Sequence, residues 1–88
     1  MKLLRFWIEF EPRNEVPLPP GVSTGCGVAA YSRQGACNLV ANRIFMGGAL
    51  PPFRKEIENV DISTLDAGYV LPNMNDPTIR GIWFPLGY

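Results

Sequence analysis

The chain has 88 residues, 47% of them apolar, and eight Lys or Arg balance eight Asp or Glu. That size holds one domain, predicted over 1–88, and the composition argues against disorder. With no net charge and no basic stripe to neutralise a phosphate backbone, nucleic acid is not an expected partner.

Histidine is absent. Its absence removes the commonest general base, the Ser-His and Cys-His activations, and every imidazole metal ligand. Cys26 and Cys37 alone do not make a zinc site, so neither a metal nor another cofactor is expected. Met1-Lys2-Leu3-Leu4 resembles the start of a leader, but Arg5 and Glu9 interrupt the apolar run and no small-residue cleavage site follows. No apolar stretch approaches the roughly 20 residues of a membrane helix. A reducing cytoplasm, with two free thiols and no membrane partner, is the expected setting.

Lys2 to Phe10 alternates as a half-buried strand. Leu4, Phe6, Ile8 and Phe10 share one face; Leu3, Arg5, Trp7 and Glu9 share the other. Pro12 to Gly25 is a proline-rich irregular loop, a length often functional or mobile. Gly27 to Tyr31 reads as a second strand, and Ser32 as the N-cap of a helix over Arg33–Met46. Ala36, Cys37, Val40, Ala41 and Ile44 mark its apolar side, and Gly47 and Gly48 its stop. A third strand is predicted within Phe53–Ile62, with a charged start and Val60 and Ile62 facing inward. Ser63 to Asp66 reads as a turn capped by Ser63, with Asp66 reaching back. Val70 to Pro77 is a second loop, and Arg80 to Phe84 a last strand in which Arg80, Ile82 and Phe84 alternate against Gly81 and Trp83.

These elements predict a two-layer α+β fold, a mixed or antiparallel four-stranded sheet with one main helix on one face. The central strand–helix–strand unit would be a right-handed crossover if its strands pair in parallel. One helix covers one sheet face, so Leu3, Trp7, Tyr31 and Trp83 are expected on an uncovered face. Either the proline-rich loop closes over them through Val16, Leu18 and Val22, or another chain does, most simply a second copy in a two-fold homodimer.

Few residues carry chemistry. Gly21 to Gly27 suggests a phosphate loop, but no lysine follows and the glycines enter a strand, so they read as turn formers. Cys26 is the one candidate nucleophile near a loop, with Arg33 the nearest cation; an idle thiol is the better reading. Cys37 reads as core. The carboxylates Glu56, Glu58, Asp61, Asp66 and Asp76 match no calcium-loop spacing and read as edge and turn groups. Asn73, Asn75, Asp76 and Arg80, beside the aromatic last strand, read equally as a recognition surface or as turns with a surface pair.

Three segments carry a resemblance: Gly27-Val28-Ala29-Ala30-Tyr31-Ser32, Val60-Asp61-Ile62-Ser63-Thr64-Leu65-Asp66, and Val70-Leu71-Pro72-Asn73-Met74 running on to Arg80-Gly81-Ile82-Trp83-Phe84-Pro85. Together they resemble a group of short bacterial proteins of uncharacterised function, with a GVTA-type strand before the helix and a PNM…P…RGIWFP-type ending. Ala29 stands where such sequences tend to have Thr, and Tyr69 where they often place His. The resemblance implies a bacterial origin and a single domain, and no mechanism.

Three function classes follow, in descending order. The first is a non-catalytic protein-interaction module, of inhibitor or immunity type, with candidate binding residues Trp7, Tyr31, Asn73, Asn75, Asp76, Arg80 and Trp83. The second is a small-molecule-binding domain, the proline-rich loop being a lid over Trp7, Tyr31 and Trp83. The third is an enzyme using Cys26 or a carboxylate pair; no catalytic residue is assigned.

Overall fold

The computed structural model describes residues 2–11, 18–19 and 21–88. Four strands and one helix organise them: β1 (Leu4–Phe10), β2 (Cys26–Ala30), α1 (Arg33–Arg43), β3 (Phe53–Ile57) and β4 (Gly81–Phe84). Two three-residue 3-10 turns, Ile62–Thr64 and Leu71–Asn73, lie between β3 and β4. The α+β prediction with a four-stranded sheet holds.

The sheet order is β3-β1-β2-β4, and every neighbouring pair is antiparallel. The central crossover is therefore split. β2 and β3 run in the same direction but do not pair, because β1 lies between them and bonds to both. A long β1 with strong alternation on both faces is the natural centre of such a sheet.

Ser32 caps α1 as predicted, its Oγ accepting from the Gly35 amide at 3.0 Å. The helix ends at Arg43, earlier than expected, because Met46 and Gly47 both enter the left-handed region at φ 54° and 84°. It buries Ala36, Leu39 and Val40, so Leu39 takes the core position expected of Cys37, which is half-buried. β3 stops at Ile57, and Asn59 turns the chain at φ 54°. Val60 and Ile62 still point inward, as parts of a loop rather than a strand. Asp61, not Ser63, caps the first 3-10 turn by accepting from the Ser63 amide at 3.0 Å; Asp66 caps the next turn through Gly68 and Tyr69. In β4 the pairing register shifts between Gly27 and Val28, which puts Phe84 beside Trp83 rather than Ile82.

Two apolar clusters sandwich the sheet. On the helix side Phe6, Ile8, Phe10, Val28, Ala30 and Ile82 pack against Ala36, Leu39, Val40 and Ile44. On the other side Trp7, Ala29, Trp83 and Phe84 pack against Val60 and Val70, with Leu3, Ile57, Ile62, Leu65 and Met74 around them. The aromatic face is thus covered by the chain's own residues 57–74, and the expected uncovered face does not exist. Trp7 and Trp83 are 3% and 1% exposed, with ring centroids 6.1 Å apart. Hydrogen bonds pin the cover: Val60 donates to the Arg5 carbonyl at 2.7 Å, Asn75 to the Trp83 carbonyl at 2.7 Å, and Arg5 Nε to the Pro77 carbonyl at 3.2 Å.

The described part of the proline-rich loop contributes to the helix side. Val22 is fully buried in the helix-side cluster and Leu18 packs on it; Val16 lies outside the described residues. The loop's last residues reach the aromatic side, Gly25 against the Trp7 ring and Thr24 in the groove beside it, but the apolar cover over that cluster comes from residues 57–74. Burial of both indoles predicts blue-shifted tryptophan emission with weak acrylamide quenching in the native chain, and a red shift only on denaturation. Strong native quenching would contradict the covered face.

Candidate functional site

The predicted site residues do not converge as one surface. Trp7 and Trp83 are core, and Tyr31, at the end of β2, is 47% exposed and belongs to neither cluster. Asn73 is exposed and bonded within its own loop, its Nδ2 donating to the Tyr69 carbonyl at 2.7 Å. Among the described residues, Trp7, Tyr31 and Trp83 therefore do not come together as one aromatic surface.

The glycines that suggested a phosphate loop have a packing role. A Cβ on Gly25, at φ 149°, would stand 2.3 Å from the Trp7 ring, and one on Gly27 would stand 2.4 Å from the Trp83 ring. Bare backbone here, beside and within the central strand β2, lets two indoles approach the main chain closely in the second core.

Asn75, Asp76 and Arg80 do come together. They line a groove of about 290 Å³ at the β4 edge, with Arg43 from the last turn of α1 and with Ile79, Gly81 and Ile82. Arg43 and Arg80 have no hydrogen-bond or ion-pair partner among the described residues. By contrast Arg33 pairs with Glu56 at 2.7 Å and Arg54 with Glu9 at 2.8 Å. Asp76 is committed to its own turn. Its Oδ1 accepts from the Thr78 amide at 2.9 Å and from the Thr78 hydroxyl. Those bonds, with Arg5 nearby, hold its carboxyl below the usual range. Ile79 stands on the rim, 64% exposed. Arg43 and Ile79 were not legible as site residues: an arginine in a last helical turn reads as an ordinary partner of the helix dipole.

A second groove, about 240 Å³, lies on the other face between Trp7, Glu9, Thr24, Lys55, Ile57, Thr64, Leu65, Asp66 and Val70. Trp7 Nε1 donates to Glu9 Oε2 at 2.9 Å. That bond, then Arg54, holds the Glu9 carboxyl low despite partial desolvation.

The thiols are poorly placed for nucleophilic work. Cys26 is fully buried in β2, and burial pushes its thiol up to about 12. Partial burial also raises Cys37, with Arg33 opposing the shift. Iodoacetamide at pH 8 is expected to alkylate Cys37 slowly and to leave Cys26 unmodified until the chain is unfolded. Native labelling of Cys26 by mass spectrometry would refute this. Asp61 and Asp66 each serve a turn, and among the described residues no three His, Cys, Asp or Glu side chains converge as a ligand set.

No described helix is long and apolar enough to cross a membrane. Comparisons with protein-family models, curated proteins and solved structures return no match.

Proposed function

We propose that this chain is a non-catalytic protein-interaction module whose contact surface is the β4-edge groove, not the aromatic sheet face. One observation carries the reading: two arginines from distant parts of the chain, with no partner among the described residues, flank a groove with Asn75 and the exposed Ile79 at its rim. Arginine beside apolar and amide side chains is the composition that concentrates binding energy at protein interfaces. The unreactive setting of Cys26 and the turn-bound carboxylates support a role without catalysis. A bacterial cytoplasmic setting and an inhibitor or immunity role belong to the same reading, with a second copy of the chain as the alternative partner.

The test is a photo-crosslinking amino acid placed at Ile79 in cells that naturally make the chain, with exposed Glu11, at the far end of β1, as the control position. A discrete adduct from Ile79 alone supports the reading, and its mass separates a foreign protein from a second copy. No adduct, or the same adducts from both positions, sinks it.

A small-molecule reading draws on the second groove, where Trp7 meets Lys55 and Asp66. Tryptophan fluorescence against a metabolite panel tests it; a panel with no saturable response removes it.

A further inference from the structure

The geometry points to an acidic peptide segment of the partner as the occupant of the Arg43–Arg80 groove, an inference that rests on the protein-binding reading above. The two guanidiniums come from different elements, α1 and the entry to β4, and line the same space. Each presents a planar fork suited to a carboxylate. Neither has an internal acid to satisfy it among the described residues. On a chain with no net charge, that leaves a local excess of positive charge at one place.

Asp76 shares the groove and opposes an anion, but its charge is compensated locally. Thr78 donates to it twice, and the charge of Arg5, whose Nε donates to the Pro77 carbonyl, acts on it favourably. Gly81 lies in the lining at φ 141°, a backbone conformation that favours glycine, and a Cβ there would stand in ordinary contact range of Arg43 Nη1. Ile82 below and Ile79 at the rim supply apolar contact next to the charged one. The combination fits a glutamate or aspartate followed by an apolar residue. A groove of about 290 Å³ admits a side chain or two. A phosphate backbone would need cations extending beyond the groove, and the neutral chain has no such stripe.

The experiment titrates the 15N-labelled full chain with Ac-Glu-Glu-Leu-NH2, with its isostere Ac-Gln-Gln-Leu-NH2, and with inorganic phosphate, reading the Nε–Hε signals of Arg43 and Arg80. Saturable shifts with the acidic peptide alone are expected, weakening from 50 to 200 mM salt. Arg43→Gln and Arg80→Gln should each weaken binding about tenfold, the effect of one charge-assisted hydrogen bond, with the backbone spectrum otherwise unchanged. Equal shifts from the isostere or from phosphate, or arginine signals that do not move, overturn the inference. A crosslink at Ile79 that persists undiminished in the doubly substituted Arg43→Gln, Arg80→Gln chain would overturn it too, while leaving the protein-binding reading intact.

Discussion

Replacing Gly27 with alanine is expected to lower stability by about 3 kcal/mol, at the upper end of overpacking effects. Gly27 lies within β2, where alanine is ordinarily acceptable, so the penalty is steric. The new Cβ would sit 2.4 to 2.5 Å from three atoms of the Trp83 six-membered ring. Trp83 is 1% exposed and has Trp7 and Phe84 beside it, so it has little room to retreat. Urea denaturation gives the measure: a lower midpoint with an unchanged slope. A double-mutant cycle with Trp83→Phe makes the cause specific. Phenylalanine is smaller than the indole and relieves the clash, so the pair should be less destabilised than the sum of its single changes, by about 1 kcal/mol or more. Strict additivity would refute the contact.

Trp83→Ala is expected to cost about 4 kcal/mol, the usual range for emptying a large aromatic site. For a chain of this length the whole margin is about 4–13 kcal/mol. The loss should not be uniform. Past Ile57, the end of β3, residues 57–74 contain only two short 3-10 turns, and their main hold on the sheet is the apolar cluster centred on Trp7 and Trp83. Hydrogen exchange should therefore accelerate in 57–74 well before the β1–β2 amides, whose strand pairing and helix-side core remain. Equal acceleration everywhere would show that the two clusters do not separate. Trp83→Phe should cost markedly less than Trp83→Ala. It keeps a ring and removes an indole N–H that is buried without a hydrogen-bond partner.

The candidate site shows what sequence patterns carry and what they miss. Asn75, Asp76 and Arg80 were legible together because they are neighbours in a polar loop beside an aromatic strand. Arg43 joins them only through the packing of α1 near β4. Trp7, Tyr31 and Trp83 were grouped by phase on the sheet, but phase does not say what lies above a face. Residues 57–74 cover it, and they have no helical or strand period to announce an amphipathic layer. Their apolar members, Ile57, Val60, Ile62, Leu65, Val70 and Met74, fall at irregular steps between turns.

Sequence alone determined the local elements of this protein: the alternation of β1, the Ser32 cap that starts α1, the left-handed stop after it, and the lack of histidine chemistry. Those are properties of a residue and its near neighbours, where sterics, side-chain period and backbone hydrogen bonding act over a few positions. Only the tertiary structure decided that β1 splits the central crossover, that the chain seals its own indoles, and that Arg43 meets Arg80. Each depends on contacts between segments far apart in the chain, chosen by which packing buries the most apolar surface while keeping the backbone bonded.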